Sequence, residues 1–517
     1  MLLLALALAC TPPGKPGDTA TIGDGGGTTP TDGGSDGGSD GGTSTTEPPL
    51  AQAEVVVIGA GASGLAAGAG AQEAGAEVIV LERETTWGGA GRHARGYFAV
   101  QTRWQAEAGI VDSVELALEE WPDFTGGDAS NPAVVNFLSE SEDVLLWLEG
   151  MGVGFTAGVE APTDSGSVPR VHDFSDDGLQ PVDAMKAALG ESIRYSTTAV
   201  DLVMDEDRVI GVVVEQADGS SGWIEAGAVV VATGGFGRND LRVAVARPGV
   251  EAWPVYYESH PGMDGNGLDL VEQAGGVLAN PEGLALLTHS VPDPQIGGSE
   301  TMVVGGLCYT MMVDATGQRF ASELDAGSGA RGADYLARGP LFALVDQTRF
   351  LRLGFSGRGF NYTDGSMPNR LDGPEYEALS PFPSAEDVEG LARAIGLDEA
   401  SLRAAADRYN GLVAAGADTD FGKSGDCLQP LLTPPFRAIP LVMARAKSFS
   451  GASMGVQGEV LDGSGEAIPG LYAAGEAGGF LGGPWAGHGF NGSVSAAVWY
   501  GRRAGRSAAA WAGATGD

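Results

Sequence analysis

The sequence predicts an α/β fold built on a parallel sheet, with helices of a second domain further along the chain. Three observations carry that prediction. Residues 53–58 (AEVVVI) end in an unbroken β-branched run, the pattern of a strand buried on both faces of a parallel sheet. Gly59, Gly61 and Gly64 follow at once, the small-residue stretch from Leu65 to Ala74 reads as a helix, and a second run at 77–81 (EVIVL) ends in Glu82. Far downstream, 385–395 and 401–413 place apolar residues at helical spacing, a pattern foreign to the first sheet.

The chain starts with MLLLALALAC, an apolar run too short to span a bilayer as a helix. With Leu6, Ala9 and Cys10 it resembles a bacterial lipoprotein signal, which implies lipidation of Cys10. The other reading is a short buried strand. From Thr11 to about residue 50 the chain is mostly Gly, Ser, Thr, Asp and Pro, with too little apolar surface to offset its ordering entropy. It reads as a flexible acidic tether that holds a domain off a membrane surface without entering it. The 517 residues leave room for two folded domains beyond it. With 68 Asp and Glu against 29 Lys and Arg, and a formal charge of -39, the surface repels phosphate backbones, which excludes nucleic acid as a partner. Neither the number nor the spacing of Cys10, Cys308 and Cys427 points to a metal site or a disulfide scaffold, so the fold is expected to rest on its core.

In a turn of the form G-x-G-x-x-G, Gly59 permits the tight bend, Gly61 lets backbone approach a pyrophosphate, and Gly64 lets helix and strand pack closely. Ala60 and Ser63 lie inside the same turn, and the helix amides after it face the phosphates. Glu82, at the tip of the second strand, is placed to accept hydrogen bonds from ribose hydroxyls. Strand, turn, helix, strand and acidic residue in register specify a dinucleotide site; FAD or NAD stays open on these residues alone.

Further segments carry a family resemblance. Residues 82–97 contain Arg83, Gly88, Gly89, Ala90 and Gly96, and residues 229–235 (VVVATGG) contain Ala232, Thr233 and Gly234. Downstream come Gly265-Asn266-Gly267-Leu268, Gly317-Gln318-Arg319-Phe320 with Glu323, Tyr409-Asn410 with Gly416, Asp418, Phe421 and Gly422, then 470–476 (GLYAAGE), and finally Gly492-Ser493-Val494 before a closing helix. In this order they resemble the fumarate reductase and succinate dehydrogenase flavoprotein family, which includes flavocytochrome c, urocanate reductase and the 3-ketosteroid dehydrogenases. The resemblance covers residues 53 to about 506. It implies a Rossmann-like FAD-binding domain of the glutathione-reductase type, split into 51–285 and 441–517, with an α+β capping domain at 286–440.

That resemblance also implies contacts to FAD from Val200, Asn266, Gly475, Glu476, Gly492, Ser493 and Val494, in addition to the residues of the first turn and loop. FAD is expected to be noncovalent, because the histidine that carries it in succinate dehydrogenase aligns near Ala90, with His93 three residues away as a loop residue near the flavin. Ser384 is read as the N-cap of the first cap helix, and Gly396 and Gly411 as punctuation.

Members of the family move hydride between flavin and one carbon of an activated C–C bond while a side chain handles the proton on the neighbouring carbon. His289 falls near the first substrate histidine of fumarate reductases. Gly451 falls where the second would be, and His488 replaces the last substrate arginine. The proton-donating arginine is expected close after Glu323, where the chain reads Leu324-Asp325-Ala326-Gly327; Arg331 follows four residues later. His289, His488 and Arg331 are therefore the catalytic candidates, fumarate reduction is disfavoured, and Trp485 and Phe490 suggest an apolar wall. The expected function is a cell-envelope enzyme acting on CH–CH groups of a small molecule, with an unidentified electron donor or acceptor and no metal. The alternative is a noncatalytic FAD-containing electron-transfer or binding subunit.

Overall fold

The elements that build the site are β1 (Ala51–Ile58), α1 (Ala62–Glu73), β2 (Val78–Leu81), β3 (Thr197–Asp205), β4 (Arg208–Gln216), β5 (Ser221–Val231), α2 (Asn266–Gln273), β6 (Leu284–Pro292), β7 (Thr301–Gly305), β8 (Leu341–Val345), α3 (Val388–Ile395), α4 (Glu399–Ala415), β9 (Phe436–Ser448), β10 (Ala467–Ala473) and α5 (Ser493–Thr515). The structure is a computed structural model that describes residues 48–94, 96–156, 167–174, 179–325, 335–357, 370–423, 425–479 and 493–515. Cys10, nearly all of the expected tether, Arg331, His488 and Gly492 lie outside the described residues, as do Trp485 and Phe490.

Val55, Val56 and Val57 are completely buried, because β1 has a strand on each side and a layer on each face. It runs parallel to β2, with Val55 opposite Val78, and parallel to β5, with Val57 opposite Val230. β10 extends the sheet beyond β5, again in parallel. The antiparallel meander of β3 and β4 joins through β5. The strand β10, far along the chain, thus completes a sheet begun at residue 51.

On one face of this sheet α1 and α5 cross with their backbones in contact. A Cβ on Gly501 would overlap the Ser63 carbonyl oxygen, one on Gly505 the Ala67 carbonyl oxygen, and one on Gly70 the Arg502 carbonyl oxygen. Small residues on both helices permit this approach, which long side chains would prevent.

A second sheet is antiparallel and mixed in its connections. Its central pair is β6 and β9, with β8 beside β9 and β7 beside β6. The expected domain boundaries at 285 and 440 fall inside β6 and β9, so these two strands run from one expected domain into the other. The short strand Tyr256–Tyr257 also joins this sheet, parallel to Ala444 and Arg445 of β9.

Two helix expectations are corrected. Ser384 lies in a short strand against β9, and the N-cap of α3 is Asp387, which accepts from the Gly390 amide at 2.6 Å. An aspartate directly ahead of the apolar stripe satisfies the first turn better than a serine three residues upstream. Gly411 sits inside α4, which runs on to a left-handed Gly416. The cysteine expectation is also corrected, because Cys308 and Cys427 form a disulfide across a separation of 119 residues. Spacing conceals the pair: the cap brings the Leu307–Tyr309 turn to the Gly425–Cys427 turn only through long-range packing. Beside it, the buried Lys423 donates to the Thr310 carbonyl at 2.6 Å, and Arg319 is paired with both Glu323 and Asp418. The R-F-x-x-E and D-x-x-F-G segments therefore meet as one charged cluster inside the cap. Among the described residues no helix is long and apolar enough to cross a membrane.

Candidate cofactor and active site

A cavity of about 670 Å³ opens at the carboxyl ends of the parallel strands. Ile58 of β1, Leu81 of β2, Ala232 just after β5 and Gly475 after β10 all reach it, the place where ligands bind in open parallel sheets. The opposite wall comes from the second sheet and its approach: Glu258, Leu287, Ala446 and Lys447.

The turn at the start of α1 fits a bound pyrophosphate. Gly59 has φ +102°, and a Cβ there would lie 2.7 Å from the Ala232 carbonyl oxygen; a Cβ on Gly64 would overlap the Gly59 carbonyl oxygen. Both positions exclude any larger residue. Gly61 differs, since a Cβ there meets nothing within 4 Å and would project into open space. Its absence leaves room for a ligand over the first amides of α1, whose N-cap makes no side-chain hydrogen bond. Those amides and the helix dipole are left to an anion.

Glu82 lines the cavity with both oxygens oriented: one accepts from the Ala60 amide at 2.8 Å and the other from the Glu84 amide at 2.9 Å. Burial raises its pKa against these hydrogen bonds. Arg83 donates to Asp264 and to the Gly262 carbonyl, both at 2.6 Å, which ties the β2 tip to the 258–264 loop. Glu476 accepts from the Ser448 amide and hydroxyl, each at 3.1 Å, and burial pushes it up to about 7. Gly235 lies against that pair, because a Cβ there would overlap both the Ser448 hydroxyl and a Glu476 oxygen.

Of the expected FAD residues, Gly59, Gly61, Ser63, Glu82, Arg83, Gly89, Ala90, Gly96, Ala232, Thr233, Gly234, Asn266, Gly475, Glu476, Ser493 and Val494 line this one cavity. Ala60, Gly64 and Gly88 stand behind its wall; the Gly88 amide donates to the Ala60 carbonyl. Val200 does not line it. Its side chain is 40 % exposed, and the wall at β3 is formed by Thr197, Thr198 and Ala199, ahead of a register shift between Ala199 and Asp201. His93 lines the cavity at the end of the short helix Gly89–His93.

Of the three catalytic candidates, His289 is the one that falls among the described residues. His289 is not part of the cavity wall; its Nε2 lies 3.9 Å from an oxygen of Glu258, which is. Gly451 packs where a Cβ would overlap the Gly479 amide, so the second substrate histidine of fumarate reductases has no room here. His260 lines the cavity, but burial and the charges of Arg238, Arg83 and Arg92 hold it down to about 4, which leaves it neutral near pH 7. Sequence reasoning missed Glu258 and Lys447. Their signal is a charge directly after apolar strand residues, at Tyr256-Tyr257-Glu258 and Ala446-Lys447, and its meaning depends on cross-strand pairing that spacing does not reveal.

The family described as FAD binding domain matches residues 54–491. The chain is 29% identical over 470 residues to a fumarate reductase (cytochrome) of Shewanella frigidimarina, covering 88% of this chain and 77% of that protein. It is 28% identical over 480 residues to a vinyl phenol reductase of Lactiplantibacillus plantarum, covering 88% and 96%. Its fold matches a 3-ketosteroid-Δ4-(5α)-dehydrogenase of Rhodococcus jostii RHA1, in complex with 4-androstene-3,17-dione, at a TM-score of 0.72 and 27% identity, covering 90% and 99%.

The raised pKa of Glu476 has a stability consequence. A carboxyl whose folded pKa lies above its unfolded value favours folding below the ordinary carboxylate range, and that contribution is lost as pH rises to about 7. The depressed His260 works the other way between about 4 and its ordinary value, so the comparison must be differential. Relative to Glu476→Gln, the wild-type apoprotein is expected to lose stability from pH 4.5 to 7 and to level off above; urea denaturation at a series of pH values measures it. A pH-independent difference contradicts the buried carboxyl.

Proposed function

The chain belongs to the FAD binding domain family, and from that premise we propose that it is a cell-envelope enzyme that transfers hydride between FAD and one carbon of an activated C–C bond. One observation carries the reading. The cavity has a cofactor wall built from the parallel sheet and a facing wall, Glu258, Leu287, Ala446 and Lys447, built from the inserted sheet, so a planar ring on the first wall has a substrate crevice in front of it.

The bound flavin supplies the hydride chemistry. The chain's residues do the rest. The α1 amides would hold the pyrophosphate, Glu82 the adenosine ribose, and Glu476 the ribitol side. The N-terminus of α5, at Ser493 and Val494, lines the same cavity, and its positive dipole end would stabilise negative charge on a reduced flavin. Leu287 and Ala446 exclude water from the crevice. His488 and Arg331 are the proposed substrate grip and proton donor, and His289 acts through Glu258. Attachment is noncovalent, since Ala90 offers no side chain for a flavin bond.

Two features support the envelope. The leader resembles a lipoprotein signal with Cys10 as the anchor, and the Cys308–Cys427 disulfide suits an oxidising compartment. The electron partner is a separate molecule, because the chain has no C-x-x-C-H haem motif.

Purified protein is expected to be yellow and to release all its flavin on acid precipitation. After reduction by dithionite, the flavin should be reoxidised by members of a panel of enones and enoates, and His488→Ala or Arg331→Ala should slow that step at least tenfold with FAD content unchanged. If no alkene reoxidises it, the noncatalytic electron-transfer reading replaces this one. Expressed from Met1 in a bacterium, the protein should partition with membranes and show no free thiol at 308 or 427; Cys10→Ala should release it into the soluble fraction. Release of the wild type with an uncleaved leader contradicts the anchor.

A further inference from the structure

The end of the cavity at Glu82 carries an aromatic side chain that neither the glycine turn nor the acidic residue accounts for. Trp87 lines the cavity on the loop that leads from Glu82 back to Gly88. The helix Gln180–Leu189 holds it from one side. Its indole N–H donates to Asp183 at 2.7 Å, and the Lys186 ammonium stands over the ring face, 4.4 Å from the centroid. Asp183 and Lys186 are three positions apart and so project from one side of that helix. Val182 of the same helix supports the loop, because a Cβ on Gly88 would lie 3.2 Å from its side chain and one on Gly91 3.3 Å. One face and the polar edge of the indole are thus fixed by the helix, and the cavity adjoins what remains.

Backbone hydrogen bonds knit the β2 tip to the strand beside it. The Glu82 amide donates to the Arg194 carbonyl at 2.9 Å, the Ser196 amide to the Glu84 carbonyl at 3.1 Å, and the Thr197 amide to the Glu82 carbonyl at 2.9 Å. Tyr195, within this stretch, has its ring centroid 6.4 Å from that of Trp87, and burial together with the Glu82 charge raises the pKa of its hydroxyl. Trp87, Tyr195 and Glu82 therefore share one corner, and Thr197 and Thr198 continue its wall along β3. An indole held by a cation on one face is a fixed platform for a flat heterocycle on the other.

Resting on the placement of the adenosine ribose at Glu82, we infer that Trp87 is a further cofactor-binding residue whose indole, held by Lys186 and Asp183, packs against the adenine of FAD and makes the site select FAD over FMN. FMN lacks the adenosine half, so it leaves this corner empty and gains nothing from the ring. A tryptophan that only braced the loop against the core would support both flavins alike.

Equilibrium dialysis of the apoprotein against FAD, FMN and ADP, the last as the adenosine half alone, tests this without turnover. Trp87→Leu keeps an apolar side chain and removes the ring; it should weaken FAD and ADP about tenfold each and leave FMN unchanged. Trp87→Phe keeps a flat ring and should lose less than about threefold for either ligand. If Trp87→Leu does not fold, Lys186→Gln, which only loosens the ring, should weaken FAD and ADP in the same direction with FMN unchanged. Unchanged FAD and ADP binding in these variants, or an equal fall for FAD and FMN, overturns the inference. Glu82→Ala separates the premise. If it weakens ADP while Trp87→Leu does not, adenosine sits at Glu82 and only the role of Trp87 fails; if neither changes ADP binding, the placement of the adenosine fails with it.

Discussion

Everything at the cavity depends on how closely α1 and α5 approach. Gly501 and Gly505 on one helix lie against the carbonyls of Ser63 and Ala67 on the other, with no space for even a methyl group. The contact joins residues more than 430 positions apart in the chain. It places the first turn of α5, with Ser493 and Val494, beside the first turn of α1, with Gly61 and Ser63, so that two helix N-termini open on one cavity. Two positive dipole ends then face the same cavity, an arrangement suited to an anionic ligand. Larger residues at Gly501 or Gly505 would separate the helices and the two halves of the site together.

The inserted sheet depends on the same closure. β6 and β9 leave and re-enter the first domain as a hydrogen-bonded pair, and Ser448, the last residue of β9, anchors Glu476 of the cofactor wall. The two walls of the cavity are thus linked by covalent chain and by a buried hydrogen bond at one end, while Arg83 and Asp264 tie them at the other. A rigid frame of this kind suits a reaction in which ring and substrate must meet at fixed distance. The charged cluster of Arg319, Glu323, Asp418 and Lys423, with the disulfide beside it, braces the outer part of the cap, from which the chain continues into the residues that contain Arg331.

The cofactor wall was legible in the sequence because its signals are local. A β-branched run, three glycines and an acidic residue at fixed offsets each express one steric or polar demand; Gly59 and Gly64 meet the steric ones, and Glu82 lines the cavity at the tip of β2. The cap was legible as helices, although Asp387 rather than Ser384 caps the first and Gly411 interrupts nothing. What escaped were features made by pairing distant segments. Cys308 and Cys427 carry no spacing signal, Val200 falls within a register shift of β3 and is exposed, and Glu258 acquires meaning only beside β6 and β9. His289 was singled out from the family resemblance, and in the structure it stands off the cavity wall with its Nε2 3.9 Å from Glu258.

A crystal structure of the holoprotein would show whether one cavity holds FAD along the parallel sheet with its ring toward the inserted sheet. Density for FAD is expected with the pyrophosphate over Gly61, the adenosine ribose at Glu82, and the ring bordered by Ser493 and Val494 with open space between it and Glu258. FAD bound elsewhere, or in this cavity with its ring reversed toward β3 and the space before Glu258 filled by protein, would contradict it.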